Sequence, residues 1–222
     1  MIKLEKITKK YIWENTQNII YEKLDFEVAQ WDFIAIVWKS GSWKTSLLNI
    51  MAGLIDFNEW EVTINKNKYS KMSLNEKTKF RWKNMSFIFQ QFHLIPNLTV
   101  AENIELTLDI NKISARFTVD EILQKIGLEN KNNNYPFELS GWEQQRVAIA
   151  RAFIWNTDVL LADEPTWNLD EKNAHNIMNL LKNMHKETKN TIILITHDMW
   201  VAKFANKVYR LENNTLNLIE NV

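Results

Sequence analysis

The sequence contains no cysteine, which excludes disulfide bonds and zinc sites with cysteine ligands. It also has no excess of charge, because 27 basic side chains balance 27 acidic ones. No overall field would therefore draw the chain to nucleic acid or to anionic lipid, and we expect no nucleic-acid partner. No apolar run approaches the roughly 18 residues of a membrane span, and Met1 leads into a charged segment rather than a signal peptide. These absences fit an intracellular protein whose membrane role, if it has one, comes through a partner.

Glycine is scarce and tryptophan is abundant. The chain has 4 Gly and 10 Trp, whereas a protein of this length usually has about 7% glycine, or roughly fifteen residues. Our hypothesis is that all ten Trp are glycines, encoded by a reassigned stop codon that has been read here as tryptophan. The alternative is a degenerate relative with true tryptophans. The ten positions are Trp13, Trp31, Trp38, Trp43, Trp60, Trp82, Trp142, Trp155, Trp167 and Trp200.

The hypothesis matters most in residues 33–50, FIAIVWKSGSWKTSLLNI, where an apolar strand precedes a short polar loop and a helix. The spacing matches the phosphate-binding pattern G-x-x-x-x-G-K-[ST], but tryptophan stands at both glycine positions. Such a loop needs glycine because its backbone N–H groups must approach the phosphates closely, and an indole would fill that space. The candidate nucleotide-binding residues are Trp38, Lys39, Ser40, Gly41, Ser42, Trp43, Lys44, Thr45 and Ser46.

Hydrophobic patterns predict strands that alternate with helices. Several strands are apolar throughout, which is typical of a mainly parallel, covered α/β sheet, and antiparallel strands are expected near the N-terminus. We predict strands at 1–11, 19–28, 33–37, 61–65, 85–89, 159–162, 191–195, 208–211 and 216–219, the last two joined by a turn at 213–214. We predict helices at 46–54, 74–81 and 201–205 and after the capping residues Thr99, Thr118, Ser140 and Asp170, while 130–136 reads as a polar loop.

Polar residues follow the predicted parallel strands at the ends where ligands bind in such sheets. They are Gln90, the pair Asp163 and Glu164, and His197, in addition to the loop after residue 37. A phosphate loop and a strand that ends in Asp form the pairing that holds Mg²⁺ and a triphosphate. Thr45 and Asp163 would be metal-side groups, Lys44 would reach the β- and γ-phosphates, and Glu164 would polarise the attacking water. Gln90 could sense the water or the metal, and His197 could contact the γ-phosphate.

Two further segments resemble motifs of the ATP-binding cassette (ABC) ATPases. LSGWEQQR, residues 139–146, resembles the family signature LSGGEQQR, and LADEPTWNLD, residues 161–170, resembles its Walker B and D-loop sequence. Each departs from the family only by a tryptophan in place of glycine. The resemblance covers essentially the whole chain and implies an A-loop aromatic at Tyr11, a Q-loop at Gln90 and a switch histidine at His197.

The resemblance implies a single P-loop NTPase domain over residues 1–222, with a nucleotide-binding core at about 1–90 and 156–222 and a helical subdomain at about 91–155. It implies an ATPase that uses ATP and Mg²⁺, with Glu164, His197 and Gln90 as catalytic residues and Thr45, Gln90 and Asp163 around the metal. Two subunits would form a homodimer around two ATP molecules. The signature residues Leu139, Ser140, Gly141, Trp142 and Glu143 of one subunit would contact the ATP of the other, and Asp170 belongs to the D-loop.

The phrases FIFQQFHLIPNLTVAENIEL and LLADEPTWNLD resemble ATPases of the lipoprotein-release and macrolide-exporter type. This implies transmembrane permease subunits as partners, contacted near residues 91–113, and a cytoplasmic position on the inner face of the cell membrane. A cell-division ATPase is the alternative, and an amino-acid importer is a third choice. A non-catalytic cassette would follow if the tryptophans are real. A chromosome-structure or DNA-repair ATPase would need long coiled arms, but only 48 residues separate Gln90 from Leu139.

Overall fold

The computed structural model describes residues 1–13, 16–38, 44–212 and 215–219, without the side chains of residues 11–13, 16–18, 44, 45, 60 and 111. The chain forms two compact units, Met1–Arg81 with Thr191–Val222 and, separately, Trp82–Asn190.

The strands are β1 (Ile2–Trp13), β2 (Thr16–Val28), β3 (Phe33–Val37), β4 (Glu59–Ile64), β5 (Asn67–Lys68), β6 (Met85–Ile88), β7 (Val159–Asp163), β8 (Thr191–Thr196), β9 (Lys207–Glu212) and β10 (Thr215–Leu218). The helices are α1 (Lys44–Met51), α2 (Leu74–Asn84), α3 (Val100–Asn111), α4 (Val119–Ile126), α5 (Gly141–Phe153), α6 (Glu171–Thr188) and α7 (Met199–Ala202).

The first unit contains the antiparallel sheet expected near the N-terminus, with the strand order β2-β1-β4-β5. Strand β1 pairs with β2 from Ile2 opposite Val28 to Trp13 opposite Thr16. Alternate side chains such as Ile2 and Leu4 are buried, because successive residues of a strand point to opposite faces. The prediction of antiparallel strands at this end of the chain is confirmed.

The first unit also contains parallel strands. Strand β3 pairs in parallel with β8 on one side and with β9 on the other, and β10 closes the edge antiparallel to β9. Every residue of β3 and of β8 is buried, which agrees with their unbroken apolar sequences FIAIV and TIILIT. A parallel sheet covered on both faces is therefore present, as predicted.

The second unit pairs β6 with β7 in parallel, and α5 packs against β6 while also contacting α3, α4 and α6. The helix starts follow the predicted capping boxes. Thr99 and Thr118 each accept a hydrogen bond from the backbone N–H of the glutamate three residues later, and each of those carboxylates accepts one in return. Gly127 ends α4 with φ 68°, a left-handed conformation that glycine adopts without strain. The predicted division at residues 91 and 155 into a core and a helical subdomain stays a prediction.

Four local features differ from the sequence-based expectations. A 3₁₀ turn covers Pro136–Glu138, which starts at the last residue of the polar loop expected at 130–136. Strand β5 and a second 3₁₀ turn, Tyr69–Lys71, were not predicted. Helix α7 begins earlier than the expected 201–205, because Asp198 caps it by accepting a hydrogen bond from the N–H of Trp200. The expected turn at 213–214 lies outside the described residues.

Candidate active site

The phosphate-loop candidates begin directly after β3, in the first unit. Trp38 follows Val37 and is only 5% exposed. Residues 39–43 lie outside the described part, as do the side chains of Lys44 and Thr45, but the backbone of α1 begins at Lys44. Ser46 is half-buried on this helix. The predictions of a strand before this segment and of a helix after it are confirmed, and the N-terminus of α1 is a place where an anion would be favoured.

His197 belongs to the same unit and the same sheet end. In the parallel pair of β3 and β8, Val37 lies opposite Thr196, so Trp38 and His197 both follow the carboxyl ends of neighbouring strands. The histidine side chain is exposed. Tyr11 lies on β1 with its backbone opposite Asn18, and its side chain is outside the described part. The structure thus brings His197 to the strand end from which the phosphate-loop candidates start.

The second unit holds three candidate residues at the ends of its two parallel strands. Ile88 lies opposite Ala162, so Gln90 follows β6 near the point where Asp163 ends β7. Gln90 is exposed and Asp163 is half-buried, whereas Glu164 is only 2% exposed. The prediction that polar residues follow the apolar strands at one end is confirmed for these three.

Glu164 begins a tight turn. Its φ of 48° is in the left-handed region, which costs a residue with a side chain on the order of 1–3 kcal/mol and often marks a functional position. The turn closes through a hydrogen bond of 3.0 Å from the N–H of Trp167 to the carbonyl of Glu164. The Trp167 side chain is 40% exposed. A buried carboxylate on a strained turn is therefore held in place by the backbone beside it.

The proposed magnesium ligands have suitable chemistry. A threonine hydroxyl, a glutamine amide oxygen and an aspartate carboxylate are all hard oxygen donors, the type that Mg²⁺ prefers, and this ion also keeps waters and phosphate oxygens as ligands. Gln90 and Asp163 lie on the ends of adjacent strands, which suits a shared ion. Across the described ranges, no group of three or more His, Cys, Asp or Glu side chains could form a metal site from protein alone.

The signature candidates surround the start of α5. Ser140 is the N-cap residue, and its backbone N–H and its hydroxyl both donate to the Glu143 carboxylate, at 2.8 and 2.6 Å. Burial raises the pKa of Glu143, but the two hydrogen bonds from Ser140, together with the charges of Lys131 and Arg146, leave the pKa below its usual value. Ser140 and Gly141 are exposed and Leu139 is buried. The predicted capping box is confirmed, and the contact with a second subunit's ATP stays a prediction.

Trp142 occupies the second glycine position of the signature. Its ring is half-buried, and the Arg146 guanidinium lies 4.9 Å from the ring centre. A cation over an aromatic face is a favourable contact, so a true tryptophan here would have a local partner. A glycine at this position would instead leave the backbone at the start of α5 open to a ligand.

Asp170, the D-loop candidate, caps α6. Its carboxylate accepts hydrogen bonds from the backbone N–H and the side-chain amide of Asn173, at 2.8 and 2.7 Å. These bonds, the backbone one first, lower the pKa of Asp170. The capping role predicted from the sequence is confirmed.

Two polar residues of α5 bind the strand-end loops and were not predicted. Gln145 is 1% exposed and donates from Nε2 to the Pro165 carbonyl at 2.6 Å, next to Glu164. Arg151 donates to the carbonyls of Phe92 and His93, at 2.9 and 2.7 Å, just beyond Gln90. A signal for Gln145 existed in the sequence, because a helical spacing of three, four and seven residues puts it on one face with Ala148, Ile149 and Ala152.

Comparison with known proteins decides the family. A model of the ABC transporter family matches residues 21–167. The chain is 36% identical over 225 residues to the lipoprotein-releasing system ATP-binding protein LolD of Francisella tularensis, with 100% of this chain and 97% of the relative covered. The chain belongs to the ABC transporter ATP-binding proteins.

Other members of the family agree with this assignment. The ABC transporter ATP-binding protein YtrE of Bacillus subtilis is 38% identical over 200 residues, covering 89% of this chain and 87% of the relative. A dimeric structure of the ATP-binding cassette MJ0796, in a post-hydrolysis state bound to ADP and Pi, superposes with a TM-score of 0.85 at 37% identity, over 97% of this chain and 96% of that chain. The predictions of an ABC ATPase fold and of an ABC-type ATPase are confirmed.

Proposed function

We propose that this ABC ATP-binding subunit hydrolyses ATP to drive a separate membrane permease. The observation that carries the proposal is Glu164, a carboxylate 2% exposed that follows Asp163 at the end of a buried strand. A buried carboxylate directly after a metal-binding one is suited to polarise an attacking water. The dimeric relative MJ0796, solved with ADP and Pi, supports hydrolysis by this arrangement.

The other candidate residues have roles that follow from their chemistry. Lys44 and the loop of residues 38–46 bind the phosphates, and Tyr11 stacks on the base. Thr45, Gln90 and Asp163 would hold Mg²⁺, which when bound neutralises the phosphate oxygens and orients them for in-line displacement. His197 contacts the γ-phosphate. The described backbone of α1 supports this assignment, because its free N–H groups begin at Lys44.

The active form is a homodimer in which each ATP touches both subunits. Ser140 and Gly141 are exposed at the start of a 13-residue helix, where a hydroxyl, backbone N–H groups and the helix dipole all favour an anion. The signature residues 139–143 of one subunit therefore contact the γ-phosphate bound to the other, and Asp170 lies in the adjoining D-loop. Hydrolysis removes that contact and reopens the pair.

The partner in the membrane is a permease of the lipoprotein-release or macrolide-export type. LolD, named for a lipoprotein-releasing system, matches the whole chain, which supports this choice over the cell-division alternative and the importer. The subunit would sit at the inner face of the cell membrane and receive the permease near residues 91–113. Among the described residues, no helix is both long and apolar enough to cross a membrane.

The proposal includes glycine at the ten tryptophan positions. Two features of the described residues support this. Trp31 has a φ of 68°, which glycine adopts freely and tryptophan does not, and its side chain is 59% exposed. Trp155 is 3% exposed, and its indole N–H finds no hydrogen-bond acceptor within the described part of the chain. The intact mass of the protein made by its own organism tests this point, because ten glycines would make the chain far lighter than 26.4 kDa.

ATP-dependent dimerisation tests the function as a whole. The protein used is the glycine form, which is this chain with glycine at the ten tryptophan positions. With Glu164→Gln, which blocks hydrolysis, we expect the glycine form to become a dimer in size-exclusion chromatography with ATP and Mg²⁺ and to stay a monomer with ADP. The unsubstituted glycine form should hydrolyse ATP. A variant that remains monomeric with ATP, together with an absence of ATP binding, would favour a non-catalytic cassette.

A further inference from the structure

We propose that helix α5 is a coupling element that ties the signature to both catalytic loops of its own subunit, with Gln145 and Arg151 as positioning residues. The inference rests on the proposed function, since it uses the roles given there to Glu164, Gln90 and the signature. All of its contacts lie within the second unit.

The first contact joins α5 to the turn that carries the catalytic carboxylate. Gln145 Nε2 donates to the Pro165 carbonyl at 2.6 Å, and Pro165 follows Glu164 directly. The turn is further closed by the bond from the Trp167 N–H to the Glu164 carbonyl. Because the side chain of Gln145 is 1% exposed, no water replaces this hydrogen bond, and a shift of α5 moves the backbone next to Glu164.

Packing alone does not account for the amide of Gln145, since its Oε1 is buried and accepts no hydrogen bond among the described residues. An unpaired buried oxygen is unfavourable, and a leucine of similar size would fill the same space without it. What leucine could not supply is the donor to Pro165. The structure therefore points to the hydrogen bond itself as the property that this position needs.

The second contact joins α5 to the loop that follows β6. Arg151 donates from two nitrogens to the carbonyls of Phe92 and His93, two and three residues after Gln90. His93 has a φ of 48°, and its ring lies 5.0 Å from that of Phe89. The buried side chain of Asn103 fixes the continuation of the loop through the N–H and the carbonyl of Ile95. The guanidinium thus holds the loop next to Gln90 in a single conformation.

The two contacts connect events at different ATP molecules. In the proposed dimer, the signature at the start of α5 contacts the ATP of the partner subunit, whereas Glu164 and Gln90 act on the ATP of their own subunit. A movement of α5 on signature binding would therefore reach the catalytic residues of the other site through Gln145 and Arg151. This makes hydrolysis at one site depend on ATP at the other, and it predicts cooperativity in ATP.

The test compares four variants of the glycine form: Gln145→Leu, Arg151→Met, Arg151→Lys and the control Gln124→Leu. Gln124 is an exposed amide on α4 in the same unit. We expect Gln145→Leu and Arg151→Met to lower kcat for ATP about tenfold, the order that loss of one or two hydrogen bonds allows, with KM nearly unchanged. Their Hill coefficients for ATP should fall towards 1. Arg151→Lys, which keeps a donor, should restore part of kcat, and Gln124→Leu should match the parent.

A second measurement does not depend on activity. Hydrogen exchange of the nucleotide-free protein should become faster in residues 164–169 of Gln145→Leu and in residues 90–95 of Arg151→Met, relative to Gln124→Leu. Variants that melt earlier yet keep the parent's Hill coefficient and kcat would show a merely structural role and overturn the inference. If the parent glycine form itself neither dimerises with ATP nor hydrolyses it, the proposed function fails, whereas a cooperative parent with unaffected variants contradicts only the coupling.

Discussion

Trp31 and Trp82 are both exposed, but Trp31 has a left-handed backbone conformation whereas Trp82 is helical. Replacing each with glycine should therefore have opposite effects on stability. Trp31 has a φ of 68° and is 59% exposed, and its N–H donates to Thr191 Oγ1 at 3.0 Å, a bond that glycine would keep. Trp31→Gly removes the cost of the left-handed conformation and should stabilise the chain by about 1 kcal/mol. Trp82→Gly, in the last turns of α2, should destabilise it by about 1 kcal/mol.

Urea unfolding of the tryptophan-containing chain and of the two single variants measures both changes. Equal effects at the two positions would mean that the backbone conformation does not decide the outcome. The comparison also distinguishes a position whose backbone conformation favours glycine, residue 31, from one whose helical backbone does not, residue 82.

Single residues were predictable where their neighbours in sequence define them. An apolar run followed by Asp163 and Glu164 indicates a strand end, and the structure confirms it. The bond from Gln145 to the carbonyl of Pro165 joins residues 20 apart, so it depends on how α5 packs against the turn. The local sequence shows which face of α5 Gln145 lies on, but it does not show that Gln145 bonds the Pro165 carbonyl. For that reason this residue was missed.

Helix starts, too, were predictable where residues close in sequence determine them. Helices α3, α4 and α5 begin where Thr99, Thr118 and Ser140 precede a glutamate by three residues, because the reciprocal hydrogen bonds are local. The 3₁₀ turn after Tyr135 was not predicted. There the Glu138 carboxylate accepts a hydrogen bond from the backbone N–H of Tyr135, which any residue except proline can supply, so the side-chain pattern gives no signal.

The capping box of α4 gives a prediction about pH. Hydrogen bonds from the N–H and then the hydroxyl of Thr118 lower the pKa of Glu121 below its ordinary 4.5. A carboxylate with a lowered pKa stabilises the fold above the unfolded value, and this stabilisation is lost as the pH falls through the folded pKa. Thr118→Ala should therefore lower the melting temperature by roughly 2–4 °C at pH 7 and by less below about pH 4.5.

Circular dichroism melts of the parent and of Thr118→Ala at several pH values check this. Gln124→Ala, an exposed position later on the same helix, serves as the control. Its effect on the melting temperature should not change between pH 7 and low pH. A Thr118→Ala effect that stays constant down to pH 3 would contradict a contribution from the charged carboxylate.

For the whole molecule, the resemblance of several motifs to those of the ABC ATPases indicated the family without any structure. The loop before Lys44, the signature from Leu139 and the strand end at Asp163 occur in the family's order, and the family match over residues 21–167 confirms the reading. The transported substrate could not be predicted, because in the proposed transporter it would contact the permease and place no requirement on these residues. The assignment to lipoprotein release therefore depends on likeness to relatives such as LolD.

Restoring single tryptophans in the glycine form should separate ATP binding from dimerisation. Trp43, restored alone, would place an indole where the phosphates bind, so fluorescence titration with a labelled ATP should show no binding. Trp142, restored alone, lies at the start of α5, where its half-buried ring contacts Arg146 within the same chain. Binding of ATP should then persist while the Glu164→Gln dimer is lost. Trp82, restored as the control, should affect neither. Normal dimerisation with Trp142 in place would show that the signature does not contact ATP across the dimer, and the proposed mechanism would have to be abandoned.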